Sequence, residues 1–222
     1  MIINSIIGLD LSISSTGFVK FLVPTLNQSP LSFVIKTSAK CTMMERLQQI
    51  SEGILACVGA TSLVFIEGYS YGSFNTEVLA QLGGIVKLEI YKMTGIAPII
   101  VSPNTLKKFV LGSGKGQAKD AIKLGVYKRW GVEFKTDDET DAYALARLGL
   151  QVCGVDKWEH EYERECIKAL TVAKKGKVNK KTGKKGEDKP NPNTIELRKA
   201  LVMDLRTEDK NETIKRSARK PV

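Results

Sequence analysis

The chain has 222 residues, of which 42% are hydrophobic, and it carries a formal net charge of +10 at pH 7. This length and apolar content suit one domain of ordinary size with an addition, and they exclude a wholly disordered chain. No apolar run approaches the roughly 18–20 residues of a membrane span, and the N-terminal residues lack the basic region of a secretory signal, so we expect a cytoplasmic protein.

The N-terminal part of the chain predicts strands followed by a helix. Residues 2–11 form an apolar segment that ends near an acid, and a Ser-rich turn separates them from strand-like segments at residues 17–23 and 33–37. Short strands joined by polar turns predict an antiparallel start to the sheet. Thr42 followed by Glu45 has the spacing of a capping box, which predicts that a helix begins there.

Strands and helices alternate through the next hundred residues. We predict strands at residues 63–66 and 99–101. Helices are predicted at residues 75–93 and 103–109, from the glycine-rich segment to residue 130, and at 138–152. This order is typical of the α/β class, with a mixed sheet flanked by helices.

The excess positive charge is confined to the C-terminal quarter. Residues 168–222 contain 17 Lys and Arg against 7 Asp and Glu, whereas residues 1–167 contain 17 of each kind. We therefore predict a globular domain over residues 1–167 and a basic, partly flexible C-terminal extension over residues 168–222. Clustered lysines bind polyanions through counterion release, but a solubilising tail has the same composition, so both interpretations stay open.

The cysteines and the single histidine argue against three further kinds of site. The four cysteines are far apart and include no CxxC pair, so we interpret them as reduced thiols rather than as disulfides or zinc ligands. The single histidine, His160, lies in the charged string WEHEYERE, which argues against a Ser-His-Asp hydrolase.

Four carboxylates occupy positions where a sheet protein gathers ligands. Asp10 ends the first strand, Glu67 ends a later strand, and Asp138 and Asp141 share one helix face. Converging carboxylates repel one another, so they are tolerated only when protons or cations neutralise them. Oxygen ligands suit Mg²⁺ or Mn²⁺, and two such ions can hydrolyse a phosphodiester. Each acid taken alone could instead be a turn residue or a helix cap.

Basic and aromatic side chains flank these acids in the sequence. The segment GSGKGQAK suggests a phosphate-contacting loop gripped by Lys115 and Lys119. It is not a P-loop, because Gly116 follows the first lysine where Ser or Thr is required. Tyr69 and Tyr71 could stack on splayed bases or pack at the sheet edge.

Four segments in series resemble the motifs of RuvC-like Holliday junction resolvases: GLDLSISSTGF, LVFIEGYSY, VSPNTLKKFVLGSGKGQAK and DDETDAYALA. The resemblance spans roughly residues 1–152. It implies an RNase H-like fold, with a mixed five-stranded sheet flanked by helices, and a homodimer. It also implies cleavage of four-way DNA junctions with two Mg²⁺ per active site, for which Mn²⁺ could substitute, leaving 5′ phosphates.

The resemblance also implies roles for individual residues. The catalytic metal ligands would be Asp10, Glu67, Asp138 and Asp141. Lys107 and Lys119 would lie where the family has DNA-contacting basic residues. Together with Lys108, Lys115, Tyr69 and Tyr71 they are the DNA-binding candidates. The family often has an aromatic wedge where this chain has Ser70, so that function is not carried over. The long basic extension suggests a phage or viral branch that acts in the cytoplasm of a bacterial host.

Two other functions stay open. A non-catalytic accessory protein that binds branched DNA would also use a basic extension. An actin-like ATPase begins with a similar hairpin, but it usually needs two lobes, and the neutral part of this chain is too short for both.

Overall fold

A computed structural model describes residues 3–23, 28–69, 76–113 and 120–171, together with residues 193, 194 and 197. Within these residues the strands are β1 (Ser5–Asp10), β2 (Ser15–Leu22), β3 (Leu31–Lys36), β4 (Ser62–Glu67) and β5 (Ile99–Val101). The helices are α1 (Met43–Leu55), α2 (Thr76–Thr94), α3 (Pro103–Leu111), α4 (Ala121–Trp130), α5 (Asp137–Val152) and α6 (Glu161–Thr171). The strands form one mixed sheet, so the predicted α/β class is confirmed.

The strand order places the ends of three strands at one edge of the sheet. The order is β3-β2-β1-β4-β5; β2 is antiparallel to β1 and β3, whereas β4 is parallel to β1 and β5. The carboxyl ends of β1, β4 and β5 therefore lie side by side, as do ligand-bearing strand ends in other open α/β sheets. Asp10 is the last residue of β1, and Glu67 is the last residue of β4.

Side chains alternate between the two faces of the sheet, and each face has its own apolar core. Ile6 of β1 and Phe65 of β4 lie in the core that includes residues of α3, α4, α5 and α6, which we call the α5-side core. Ile7 and Val64 point the other way, into the core formed with α1 and α2. Burying each such side chain contributes about 1.5–3 kcal/mol. Because successive side chains alternate, Asp10 shares the face of Ile6, next to α5.

Two glycines allow α5 to lie directly on the sheet. A Cβ atom at Gly8 of β1 would stand 2.0 Å from the carbonyl oxygen of Ala142, and one at Gly17 of β2 would stand 2.0 Å from that of Asp138. Any larger side chain at either position would push the helix away. The close approach brings the first turns of α5 to the ends of β1 and β4.

The start of α1 agrees with the sequence prediction, but α6 was missed. The Thr42 hydroxyl accepts from the backbone N–H of Glu45, and the Glu45 carboxylate accepts from that of Thr42, so the predicted capping box is present. The missed helix α6 crosses the domain boundary predicted at residue 167. Three residues of this short helix are buried, and one of them is the charged Glu163, which a hydrophobic pattern does not predict.

A polar network stabilises Glu163. Its carboxylate accepts from the Arg129 guanidinium of α4, from the Gln151 amide of α5 and from the backbone N–H groups of Glu159 and His160. A buried carboxylate is tolerated when it is paired and hydrogen-bonded in this way. Helices α4 and α5 therefore help to hold α6 in place, through the side chains of Arg129 and Gln151.

Part of the basic extension contacts the domain. The Asn193 side chain donates to the carbonyl oxygen of Ile100 in β5 and accepts from its backbone N–H, at 2.9 and 3.2 Å. Leu197 is buried in the α5-side core. Among the residues described, no helix has the length and hydrophobicity that crossing a bilayer requires.

Candidate metal centre

Three carboxylates meet where β1, β4 and α5 come together. Oxygen atoms of Asp10, Glu67 and Asp141 all lie within 4.8 Å of one another, and each side chain is half-buried. Asp10 and Glu67 come from adjacent parallel strand ends, and Asp141 comes from the helix that lies across them. All three ligand atoms are oxygens, which is the donor set that hard divalent cations prefer.

The N-terminal cap of α5 determines where its acids lie. Thr136 adopts an extended conformation, and its hydroxyl accepts from the backbone N–H of Glu139. The helix therefore starts at Asp137, which places Asp138 in its first turn and Asp141 one turn further along. Residues three apart share a helix face, so both acids lie on the side that meets the sheet.

The cluster disfavours full ionisation. Burial raises the pKa of Asp10 well above its usual range, and the charges of Glu67, Asp141 and Asp138 raise it further. Burial also raises the pKa of Glu67, although a hydrogen bond from Asp10 opposes the change. The pKa of Asp141 rises to about 7, because of burial first and then of the charges of Glu67 and Asp137. Such a cluster retains protons unless cations replace them.

Asp138 lies beside the three-carboxylate cluster rather than within it. Its Oδ2 atom accepts a hydrogen bond from the Ser15 hydroxyl at 2.5 Å. Its charge still raises the pKa of both Asp10 and Asp141, so it is a close neighbour. The structure thus brings three of the four predicted acids into one group and places the fourth next to it. Their roles in metal binding and catalysis stay predictions.

The two consecutive lysines of α3 point to different surroundings. Lys107 is exposed, and its charge lowers the pKa of Glu67 and of Asp141, so its ammonium group lies near the cluster. Lys108 instead forms an ion pair with Glu165 of α6. It lines a cavity of about 470 Å³ between α3 and α6. Of these two lysines, Lys107 is therefore the one that lies near the carboxylates.

The remaining DNA-binding candidates contribute less to the described site. A Cβ at Gly83 of α2 would lie 3.8 Å from the Tyr69 ring, so the tyrosine lies against that helix. Tyr71, Lys115 and Lys119 fall outside the described residues.

Sequence reasoning missed one residue of the site, Ser15, which was interpreted only as part of a turn. The sequence nevertheless contained a signal: Ser15, Gly17, Val19 and Phe21 are spaced two residues apart along β2, so their side chains share one face of the strand. The last two of these lie in the α5-side core, so Ser15 points to the same side.

Comparisons with known proteins support the fold. No protein-family model matches the chain, and no curated protein sequence matches it. The structure of RuvC from Thermus thermophilus aligns with a TM-score of 0.53 at 22% identity, over 64% of this chain and 90% of that one. The T. thermophilus RuvC in complex with a Holliday junction substrate aligns with a TM-score of 0.52 at 21% identity, over the same shares. The fowlpox virus Holliday junction resolvase aligns with a TM-score of 0.43 at 12% identity, over 66% of this chain and 98% of that one.

The two RuvC structures establish the fold of this chain. It has the RNase H-like α/β fold of RuvC, with a mixed five-stranded sheet flanked by helices. At the level of fold, the resemblance recognised in the sequence motifs is therefore confirmed.

Proposed function

We propose that this protein is a metal-dependent, structure-selective endonuclease that cuts four-way junctions or other branched DNA. The observation that carries the proposal is the group of three carboxylates on a RuvC-like fold, with oxygens within 4.8 Å of one another. The RuvC structure with a Holliday junction substrate supports branched DNA as the ligand class. A protein that only bound phosphate would gain nothing from clustered negative charge on the DNA path.

The residues present fit a divalent metal site. Asp10, Glu67 and Asp141 would hold the metal, with Asp138 beside them. Because burial and the neighbouring acids raise the pKa of Asp10 and of Asp141, a bound cation would stabilise their ionised forms. We propose that the site binds two Mg²⁺ ions and that Mn²⁺ can substitute for them. When bound, such ions supply the Lewis acidity that activates water and stabilises the departing 3′ oxygen, leaving a 5′ phosphate.

The fold holds the carboxylates in place and brings one positive charge near them. The carboxylates on two strand ends and one helix are fixed by the sheet and by the packing of α5, so the site is preorganised. Lys107 lies near enough to neutralise part of the charge on a phosphate drawn toward Glu67 and Asp141.

We also propose a homodimer, which would present two such sites to the opposed strands of a junction. The exposed apolar side chains of α2 support this helix as the dimer face: Leu88 and Tyr91, three residues apart on one side of the helix, are 53% and 46% exposed. Isolated apolar residues are common on surfaces, but neighbours on one helix form a patch suited to a partner.

A labelled four-way junction tests the proposed function. Cleavage with 5′ phosphate ends is expected in Mg²⁺ but not in EDTA, and a linear duplex of the same sequence should be cut far more slowly. Light scattering should give twice the mass of the 24.4 kDa chain. Intact junctions at every protein concentration, despite tight salt-sensitive binding, would instead identify a non-catalytic accessory protein.

Lys107→Ala and Lys108→Ala form a matched pair of variants. We expect Lys107→Ala to slow single-turnover cleavage by about 10–100-fold, because a hydrogen bond to a charged group contributes about 1.5–3 kcal/mol. Lys108→Ala should stay close to the wild-type rate, because that ammonium group is already paired with Glu165. Equal losses in both variants would show that the two lysines contribute only general positive charge.

A further inference from the structure

One hydrogen bond joins the start of β2 to the first turn of α5, across 123 positions of sequence. The Ser15 hydroxyl donates to Oδ2 of Asp138 at 2.5 Å, in a partly buried setting. Alternation along β2 directs Ser15 toward α5, and the close contact at Gly17 brings the helix within its reach. The bond therefore follows from the packing of α5 on the sheet.

The turn that carries Ser15 is itself held on two sides. The Thr16 hydroxyl donates to the carbonyl oxygen of Ser12 at 2.7 Å and accepts from its backbone N–H at 3.1 Å. The Arg46 guanidinium of α1 donates to the carbonyl oxygen of Ile13 at 2.9 Å. These bonds fix the backbone next to Ser15, so its hydroxyl is presented from a rigid support.

We propose that Ser15 is a positioning residue that orients the Asp138 carboxylate toward the metal centre. This inference rests on the proposed function. Asp138 lies outside the group of three oxygens, but it shares a face of α5 with Asp141, three residues further along the helix. A carboxylate held at one oxygen keeps a defined orientation, which lets it assist a cation at the cluster. Hydrogen-bond partners of metal-binding side chains act in this way, and losing one weakens metal affinity by about 10–100-fold.

Direct binding of Mn²⁺ to the DNA-free protein tests the inference by calorimetry. Ser15→Ala is expected to weaken Mn²⁺ binding by about tenfold or more. Ser15→Thr retains a hydroxyl and should restore most of the affinity. Ser14→Ala is the matched control, because Ser14 is exposed and adjacent in sequence. Wild-type affinity in Ser15→Ala would overturn the proposal.

A double-mutant cycle separates positioning from general structural support. If Ser15 acts through Asp138, Ser15→Ala should add no further loss of Mn²⁺ affinity in an Asp138→Ala background. The same loss in both backgrounds would overturn the positioning role, because it would show that Ser15 supports the fold instead.

Asp10→Asn distinguishes failure of this inference from failure of the proposed metal centre. If Asp10→Asn and the wild type bind Mn²⁺ equally, the metal centre is wrong, and the Ser15 proposal falls with it. If Asp10→Asn loses binding while Ser15→Ala retains it, only the role of Ser15 is refuted.

Discussion

Asp10→Asn is expected to slow junction cleavage by more than ~100-fold while the protein continues to bind the junction. Asp10 is central to the cluster, since the charges of Glu67, Asp141 and Asp138 all act on it. The amide keeps the volume of the side chain but removes one negative charge and one strong metal ligand. The loss should exceed the ~10–100-fold effect of removing a residue that only orients a ligand. Single-turnover cleavage and an electrophoretic shift in EDTA measure the two properties.

Asp137→Asn is the control for this prediction. Asp137 precedes Asp138 at the start of α5, but its side chain is 57% exposed and pairs with Lys123. Its substitution also removes one negative charge near the cluster, but it removes no oxygen from the group of three carboxylates. Cleavage by Asp137→Asn should stay near the wild-type rate. If Asp10→Asn cut junctions as fast as Asp137→Asn, the cluster would not be the catalytic centre.

The metal-free protein is expected to lose folding stability as the pH rises from about 4 to about 7. The pKa of Asp141 rises from 3.8 in its ordinary state to about 7 in the fold. In this range the folded chain binds more protons than the unfolded chain, so the free energy of unfolding falls with increasing pH. For this group the change is on the order of 4 kcal/mol. Asp10 and Glu67 act in the same direction, because their pKa values are also raised.

Urea unfolding in EDTA at a series of pH values measures this effect. Asp141→Asn is the matched variant, and its stability should fall less over the same range. Comparing the two proteins cancels the contribution of Glu163, whose lowered pKa acts in the opposite direction. Parallel pH profiles for the two proteins would contradict the prediction.

Mg²⁺ should reverse the loss of stability above pH 7. A cation binds the ionised cluster of the folded chain but not the dispersed acids of the unfolded chain. At a concentration of 100 times the dissociation constant it would add about 2.7 kcal/mol. The gain should be absent in Asp10→Asn. Equal stabilisation of both proteins would indicate binding elsewhere.

Local patterns in the sequence determined most of the elements and the candidate acids. Thr42 and Glu45 predicted the start of α1, because a capping box involves only residues three apart. Asp10 and Glu67 were recognisable because each ends an apolar strand. Parallel strands then bring such ends to one edge, so their meeting could be expected without coordinates.

Tertiary structure alone decided how the site is completed. The pairing of Ser15 with Asp138, and the different surroundings of Lys107 and Lys108, depend on how α5 packs on the sheet and how α6 packs on α3. Gly8 and Gly17 permit the close approach of α5, but a glycine in a strand does not indicate which backbone will approach it. Patterns of three or four residues specify strands and helices, whereas contacts across more than a hundred positions arise only when those elements pack.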